Sequence, residues 1–243
     1  MTEQTFRSKF ITRRTYSRPK DDGTFETWEE TVLRVINHQR WLWHRALPAC
    51  AMDVVRDTDL VRLEDELEEL KDLMLERKVS LAGRTLWLGG TDVSQDRESS
   101  MFNCAHEYVE TVYDVVDAFW LLLQGCGVGF TPVPGTLTGF RQPIPTVEII
   151  RSSREDKGQE NSLETVENGV WHVQVGDSAE AWAKSLGKLL AGKHRVDTLV
   201  LDFSEIRPAG SRLKGYGWIC SGDGQIAKAY EAIVGLMNRR AGS

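Results

Sequence analysis

The sequence lacks the features that would place it in several large classes of protein. Its 243 residues include only four cysteines, and no two of them form a Cys-x-x-Cys pair. This excludes a disulfide-stabilised scaffold and the commoner zinc-binding spacings. The sequence also has no Walker loop ending in Gly-Lys-Ser or Gly-Lys-Thr and no evident internal repeat. Because free cysteines are typical of a reducing compartment, we expect a cytoplasmic location.

Basic charge and long apolar runs are scarce as well. Lys and Arg number 30 against 36 Asp and Glu, for a net charge of -6, which disfavours direct binding of nucleic acid. The longest strongly apolar stretch, Val115–Leu123, includes Asp117 and is too short to cross a bilayer. The N-terminus is charged from its third residue and has no apolar signal-peptide region. We therefore expect a soluble protein without a membrane partner.

Residues 1–79 have the patterns of a helical region. Thr27 and Glu30 have the spacing of a capping box, which predicts a helix running to about Trp43. A second helix is predicted by apolar residues that recur at intervals of three and four and are separated by acidic residues: Leu60, Leu63, Leu67, Leu70 and Met74.

Short strands and helices alternate in residues 80–243, which predicts an α/β fold after the helical region. Ser178 can cap a helix that ends near Leu190, before Gly192. The polar stretch 151–169 has few apolar residues and predicts a mobile loop or insertion. The other predicted elements are strands at Met101–Ala105, Val170–Val175 and Val196–Phe203 and helices at Val115–Gln124 and from Ile226 onward.

Three segments carry candidate binding or catalytic residues. Gly125, Gly127 and Gly129 follow a helix and precede a strand, the reverse of the dinucleotide-binding order, so a tight turn with closely passing backbones is the favoured interpretation. Cys104 and His106 would share one face of a strand. They fit a buried structural cysteine, a thiol with a base as in a Cys–His hydrolase, or two metal ligands with no third nearby.

The glycine-rich loop 204–223 carries Arg207, Arg212 and Lys214. Such a loop exposes backbone N–H groups, and its cations can meet a phosphate. An ordinary surface loop explains the same composition, so both interpretations stay open on the residues alone.

Five segments in this order resemble one family, the adenosylcobalamin-dependent (class II) ribonucleoside-triphosphate reductases of the monomeric type. Gly83–Thr91 resembles the family's substrate-side strand, and Asn103-Cys104 resembles the segment with a redox cysteine. The other matching segments are Arg14–Arg18 with Glu26–Val32, Gln124–Phe130, and Leu201–Gly210 with Gly215–Gly217 and Ser221-Gly222.

This resemblance implies a fold, an activity and a set of ligands. The fold would be an N-terminal helical region (residues 1–79) followed by the first half of a ten-stranded α/β barrel (residues 80–243), with an insertion near residues 140–195. The activity would be the conversion of ribonucleoside triphosphates to deoxyribonucleotides for DNA replication by thiyl-radical chemistry. The implied ligands and partners are adenosylcobalamin, Mg²⁺ with the nucleotide, a deoxynucleoside triphosphate effector and a thioredoxin-like reductant.

The resemblance also implies site residues. Cys104 would be one of two reducing cysteines, and no residue is assigned to a metal. The substrate would be bound by Gly90, Thr91, Asn103, Cys126 and Gly127, and the effector by Arg207, Arg212, Lys214 and Gly215.

The sequence departs from the family at several positions. The family's radical cysteine lies in an Asn-x-Cys-x-Glu pattern, and this pattern occurs nowhere here. We therefore expect a separate C-terminal reductase polypeptide to supply the radical cysteine and most of the cobalamin site. The alternative is a catalytically inactive nucleotide-binding remnant or regulatory module. Two local departures concern single segments. Cys126 stands where the family usually has glycine, and its thiol could pair with that of Cys104. Residues Trp218–Cys220 interrupt a loop that is usually made of small residues.

Overall fold

The computed structural model describes residues 5–46, 57–213 and 216–243. Their contacts group the chain into a first unit, Met1–Phe102, and a second unit, Asn103–Ser243. The domain boundary expected from the sequence, between residues 79 and 80, remains a prediction. In the structure the residues from 80 to 102 group with the first unit, since Leu86 belongs to its apolar core.

The first unit is helical, as predicted. The capping box forms, because Thr27 N donates to Glu30 Oε2 (2.6 Å) and Glu30 N donates to Thr27 Oγ1 (3.2 Å). The core lies between the second and third helices and includes Val32, Leu67 and Met74. The helices are α1 (Phe6–Thr15), α2 (Trp28–Ala46), α3 (Asp57–Leu75), α4 (Gly83–Leu88) and α5 (Asp92–Asp96), followed by a 3₁₀ turn at Glu98–Met101.

One strand expected in this part of the chain is wrong, and a second is displaced. Gly83–Thr91 begins with the helix α4, whereas the strand expected at Met101–Ala105 forms at Cys104–Val109, after the 3₁₀ turn. The guanidinium of Arg34 donates hydrogen bonds to the carbonyls of Leu86 (2.9 Å) and Gly89. It thereby covers carbonyl groups that the end of a short helix leaves unpaired. Tertiary contacts with α2 thus stabilise a helix in a short apolar run that is equally compatible with a strand.

The second unit contains two sheets. Strands β1 (Cys104–Val109) and β2 (Gly127–Pro132) are parallel and are joined by helix α6 (Val112–Leu123). A four-stranded sheet has the order β3-β6-β5-β4, in which only β4 is antiparallel to its neighbour. Its strands are β3 (Thr146–Ile150), β4 (Leu163–Glu167), β5 (Val170–Gln174) and β6 (Thr198–Asp202), and the remaining helices are α7 (Ala179–Ala191) and α8 (Asp223–Arg239). The predicted α/β class is confirmed.

One face of the four-stranded sheet forms the core of the second unit. Trp171 and Leu199 on this face are buried with Leu189 of α7 and Tyr230 of α8. Ser178 Oγ accepts from Ala181 N (3.1 Å), which confirms the predicted cap of α7. Helices α7 and α8 form one layer that covers this face of the sheet, as α/β packing requires.

The polar stretch 151–169 forms a loop over residues 151–162, as its composition predicted, but it also contains β4. This strand pairs with β5 through a turn at Asn168 and Gly169, both with positive φ. The part before β4 is hydrogen-bonded to the chain after β6, since Ser152 Oγ donates to Ile206 O (2.6 Å) and Gln159 N donates to Glu205 Oε2 (2.8 Å). These bonds fix a segment that has few apolar contacts of its own.

Candidate functional site

The parallel pair β1 and β2 presents one face with the predicted redox cysteine. Cys104 lies opposite Gly127 and His106 lies opposite Gly129. Cys104 and His106 therefore share a face of the strand, as predicted. Cys104 is exposed rather than buried, and Tyr108 on the same face is 65% exposed. The thiol is therefore accessible in this chain.

Gly127 and Gly129 leave the β2 side of this face without side chains opposite Cys104 and His106. Gly125 has φ +82°, and the N–H groups of Gly125 and Cys126 donate to Leu122 O (2.9 Å) and Leu121 O (3.0 Å), which ends α6 in a Schellman motif. Gly127 N then donates to Asn103 O (2.8 Å). The turn with closely passing backbones is confirmed, and a ligand can approach the backbone beside Cys104.

Cys126 differs from Cys104 in its surroundings. Its side chain is buried, with Sγ 3.7 Å from Gly127 O. Cys104, Cys126 and Cys220 form no disulfide within the part of the chain that the structure describes, so the possible pairing of Cys104 with Cys126 is not formed. The substrate contact expected of Cys126 stays a prediction, and in this structure only a rearrangement would bring its thiol to the exposed face.

Gly90 and Thr91 lie in the first unit, and both have local structural roles there. Gly90 has φ +77°, and a Cβ at this position would lie 2.7 Å from Arg34 O. Thr91 Oγ1 donates to Leu88 O (2.7 Å) and accepts from Ser94 N (3.4 Å). The hydroxyl proton of Thr91 is therefore engaged in the turn that leads into α5. Contact of these two residues with substrate remains a prediction.

The predicted effector residues fall into three groups. Arg207 Nε lies 2.8 Å from Asp177 Oδ2, and the two side chains are only 12% and 5% exposed, so this guanidinium is held in a buried ion pair. Arg212 is exposed and forms a bridge opposite Ile219. Lys214 and Gly215 lie outside the described residues. Among the described residues of this set, Arg212 is therefore the cation placed to meet a ligand.

The loop with Arg212 folds as a hairpin that contacts the glycine turn. Leu213 N donates to Trp218 O (2.7 Å), and the rings of Tyr216 and Trp218 stack at 4.9 Å. The Tyr216 hydroxyl donates to Oε1 of Gln124, the residue that ends α6 before Gly125. The sequence analysis did not single out this pair. The available signal was a glutamine at the end of an apolar helix, which needs a partner when buried.

A second polar cluster lies at the carboxyl ends of β5 and β6 and was also missed. His172 Nε2 is 3.1 Å from Asp202 Oδ2, and Gln174 Nε2 is 3.3 Å from the same oxygen. Burial works to raise the pKa of Asp202, but hydrogen bonds from Ser204 and His172 outweigh it and hold that pKa below its usual value. This carboxylate is thus kept ionised at the strand ends, where α/β folds commonly bind ligands.

Two further properties bear on the class of site. Within residues 5–46, 57–213 and 216–243, no three His, Cys, Asp or Glu residues are grouped so that they could hold a metal ion. The same residues include no helix with the length and apolar character needed to span a bilayer.

Comparison with known proteins gives consistent matches. A family model described as the ribonucleotide reductase alpha domain matches residues 4–91. A protein of Mycobacterium phage D29, named as an adenosylcobalamin-dependent ribonucleoside-triphosphate reductase, is 30% identical over 96% of this chain and 33% of its own length. The reductase of the same name from Lactobacillus helveticus is 27% identical over 95% of this chain and 36% of its own length. The chain thus spans about a third of the length of these curated relatives.

A crystal structure of a B12-dependent (class II) ribonucleotide reductase matches with a TM-score of 0.75 at 22% identity, covering 96% of this chain and 37% of that chain. This match shows that the two share a fold over the part compared. The resemblance predicted from the sequence is therefore confirmed: this chain is similar, along nearly its whole length, to part of the adenosylcobalamin-dependent ribonucleoside-triphosphate reductases.

Proposed function

We propose that this chain forms the N-terminal part of a ribonucleotide reductase that converts ribonucleoside triphosphates to deoxyribonucleotides. The observation that carries the proposal is the free, exposed thiol of Cys104 opposite Gly127, on a strand pair whose glycine side leaves room for a ligand. The proposal also places these strands in the first half of a ten-stranded barrel.

In the proposed reaction Cys104 is one of two reducing cysteines. A thiyl radical on a third cysteine removes the 3′ hydrogen of the ribose. The 2′ hydroxyl then leaves as water, and two thiols supply two electrons and two hydrogen atoms by forming a disulfide. The third cysteine finally returns the hydrogen atom to C3′, which regenerates its thiyl radical. A thioredoxin-like dithiol returns that disulfide to two thiols, with its own oxidation.

Adenosylcobalamin, when bound, supplies the homolytic chemistry that generates the thiyl radical. The proposal assigns most of the cobalamin site to a C-terminal reductase polypeptide, as the family resemblance implies. What this chain contributes is an accessible thiol beside an unobstructed strand.

The radical cysteine is also assigned outside these 243 residues, since the sequence contains no Asn-x-Cys-x-Glu pattern. A C-terminal reductase polypeptide would supply it. In the effector site, the exposed Arg212 would meet the phosphates of a deoxynucleoside triphosphate bound with Mg²⁺.

Reconstituted turnover tests the proposal. The chain is purified from its source with the polypeptide that carries an Asn-x-Cys-x-Glu motif and is supplied with adenosylcobalamin, a ribonucleoside triphosphate and a dithiol. We expect deoxyribonucleotide formation that Cys104→Ser abolishes and that Cys50→Ser, at a position matching no motif of the family, leaves intact. Turnover that survives Cys104→Ser would overturn the role of Cys104, and absence of turnover with nucleotide binding retained would favour the regulatory module.

A further inference from the structure

Arg77 lies just after helix α3 in a backbone conformation that arginine rarely adopts. Its φ is +58°. Arg77 N donates to Met74 O (3.0 Å) and Lys78 N donates to Leu73 O (2.9 Å), which is the Schellman pattern that ends a helix. Glycine is the usual residue at the left-handed position of this motif, because a Cβ is strained there. The strain indicates that the arginine side chain has a role beyond ending the helix.

The guanidinium of Arg77 lies over a buried aromatic ring. Its Cζ is 4.3 Å from the centroid of the Trp28 ring, and its Nη1 donates to Thr12 Oγ1 (3.1 Å). Trp28 and Thr12 are both buried. The Nε of Arg77 is buried as well and has no hydrogen-bond partner among the described residues. The groups that hold this cation, a ring and a hydroxyl, are therefore neutral.

No carboxylate forms an ion pair with Arg77 within residues 5–46, 57–213 and 216–243. Burial lowers the pKa of Arg77, and the charge of Glu29, acting through space, opposes this effect. An arginine keeps its proton in proteins, so the positive charge persists although it is partly removed from water. A bound anion would stabilise a charge held in this way.

The Arg77 side chain also lines a small pocket in the first unit. The pocket has a volume of about 120 Å³, and its other walls are three hydroxyl-bearing residues (Thr12, Tyr16, Ser80) and three apolar ones (Trp28, Val79, Leu86). The Thr12 hydroxyl accepts a hydrogen bond from Arg77, so its own proton remains available for donation. The Tyr16 hydroxyl has no hydrogen-bond partner among the described residues. The pocket therefore combines one cation with two hydroxyls that can donate.

We propose that this pocket binds a phosphate group, held by the guanidinium of Arg77 and the hydroxyls of Thr12 and Tyr16. The planar fork of an arginine matches the oxygens of a phosphate. Three donor groups around one pocket suit an anion with at least three oxygens, which favours phosphate over a carboxylate. The source is free phosphate or a phosphate monoester, whose organic part would lie against Val79 and Leu86. This inference goes beyond the proposed function, which does not use the pocket.

The test is calorimetric titration of the full chain with inorganic phosphate, phenyl phosphate and acetate. All titrations use the Arg212→Ala background, so that the phosphate contact predicted for Arg212 does not contribute. We expect a dissociation constant for phosphate of about 1 mM, the strength of two charge-assisted hydrogen bonds. Acetate should bind at least about tenfold more weakly.

Arg77→Gly is the decisive variant, because glycine suits the left-handed position after α3 and preserves the helix end. It should weaken phosphate binding at least about tenfold, the loss of one charge-assisted hydrogen bond. Its control is Arg141→Ala, which removes a positive charge at an exposed position and should leave the affinity unchanged. Tyr16→Phe should weaken binding about fivefold, whereas Tyr113→Phe, at a 77% exposed position, should not.

The proposal fails if Arg77→Gly binds phosphate as tightly as the background chain, if the background chain binds no phosphate at millimolar concentration, or if acetate binds as tightly as phosphate. Tighter binding of phenyl phosphate than of inorganic phosphate would support the proposal and identify a monoester as the ligand. Equal binding of the two would support it with free phosphate as the ligand.

Discussion

The hydroxyl of Tyr216 donates a hydrogen bond to the side-chain oxygen of Gln124, and both residues are buried. Gln124 ends α6 immediately before Gly125, and Gly127 follows opposite Cys104. This bond therefore joins the hairpin with the predicted effector residue Arg212 to the turn beside the predicted redox cysteine. The two segments that the sequence assigned to different ligands are in contact.

Removing this hydroxyl should destabilise the second unit. Tyr216→Phe takes a hydrogen-bond donor from the buried Oε1 of Gln124, so we expect the free energy of unfolding in urea to fall by about 1–2 kcal/mol. Tyr113→Phe is the matched control, because Tyr113 is 77% exposed, and it should change the free energy by less than about 0.5 kcal/mol. Equal stability of the two variants would show that the bond contributes nothing.

Arg207 should behave as a structural residue. Arg207→Ala leaves the carboxylate of Asp177 buried without its cation, and loss of one partner of a buried ion pair costs about 3–5 kcal/mol. Urea unfolding should show this loss for Arg207→Ala. The control Arg141→Ala, at an exposed position, should keep the wild-type free energy of unfolding. An Arg207→Ala variant with wild-type stability and weakened nucleotide binding would instead support the effector role expected from the sequence.

Arg212 should behave in the opposite way. Its side chain is exposed, so Arg212→Ala should leave the free energy of unfolding unchanged. If it meets an effector phosphate, the affinity for a Mg²⁺–deoxynucleoside triphosphate should fall about tenfold, the value of one charge-assisted hydrogen bond. Isothermal titration calorimetry measures this, with Arg141→Ala as the control. An affinity equal to that of the control would exclude Arg212 from the site.

Local signals in the sequence predicted a large part of the fold. The capping box at Thr27 and Glu30, the cap at Ser178 and the αL residue Gly192 all act within one or two helical turns, and each appears as predicted. The shared face of Cys104 and His106 followed from the period of a strand alone. These features depend on neighbours in the chain and can therefore be read without tertiary information.

The failures share a different cause, which is dependence on a distant residue. Gly83–Leu88 forms a helix whose end is covered by Arg34 of α2. The buried ion pair of Arg207 was not predicted, because its partner Asp177 lies far away in the sequence, and the effector role of Arg207 stays a prediction. Burial of Cys104 was expected from an apolar segment, but burial also requires a layer over that face, and sequence periodicity does not indicate such a layer.

His38 should make the first unit sensitive to acid. It is 2% exposed, and neither ring nitrogen has a hydrogen-bond partner among the described residues. Burial, assisted by the charge of Arg34, lowers the pKa of His38. The unfolded chain therefore binds a proton at a higher pH than the folded chain. Stability should fall as the pH drops below about 6.5, by at most about 1.4 kcal/mol per pH unit, until the lowered folded pKa is reached.

Urea unfolding at pH 7.5 and pH 5.5 checks this. The wild-type chain should lose about 1 kcal/mol more than His38→Leu over this interval, because leucine removes the titrating group from the buried site. His44→Gln should lose as much as the wild type, since the His44 side chain is 56% exposed. An equal loss in His38→Leu and the wild type would assign the acid sensitivity to other groups.

The last prediction separates a structural from a substrate-binding role for Gly90. Gly90 and Gly23 have similar φ values, +77° and +80°, but a Cβ at Gly90 would lie 2.7 Å from Arg34 O, whereas Gly23 has open space around it. Gly23→Ala should therefore show the backbone strain alone, about 1 kcal/mol, and Gly90→Ala should add the cost of the clash, for a total above about 2 kcal/mol. Urea unfolding and calorimetric titration with a ribonucleoside triphosphate are measured on both variants. If Gly90→Ala were as stable as Gly23→Ala and had lost nucleotide affinity, the glycine would serve the substrate, as the family resemblance implies, rather than the packing of the α4–α5 turn against α2.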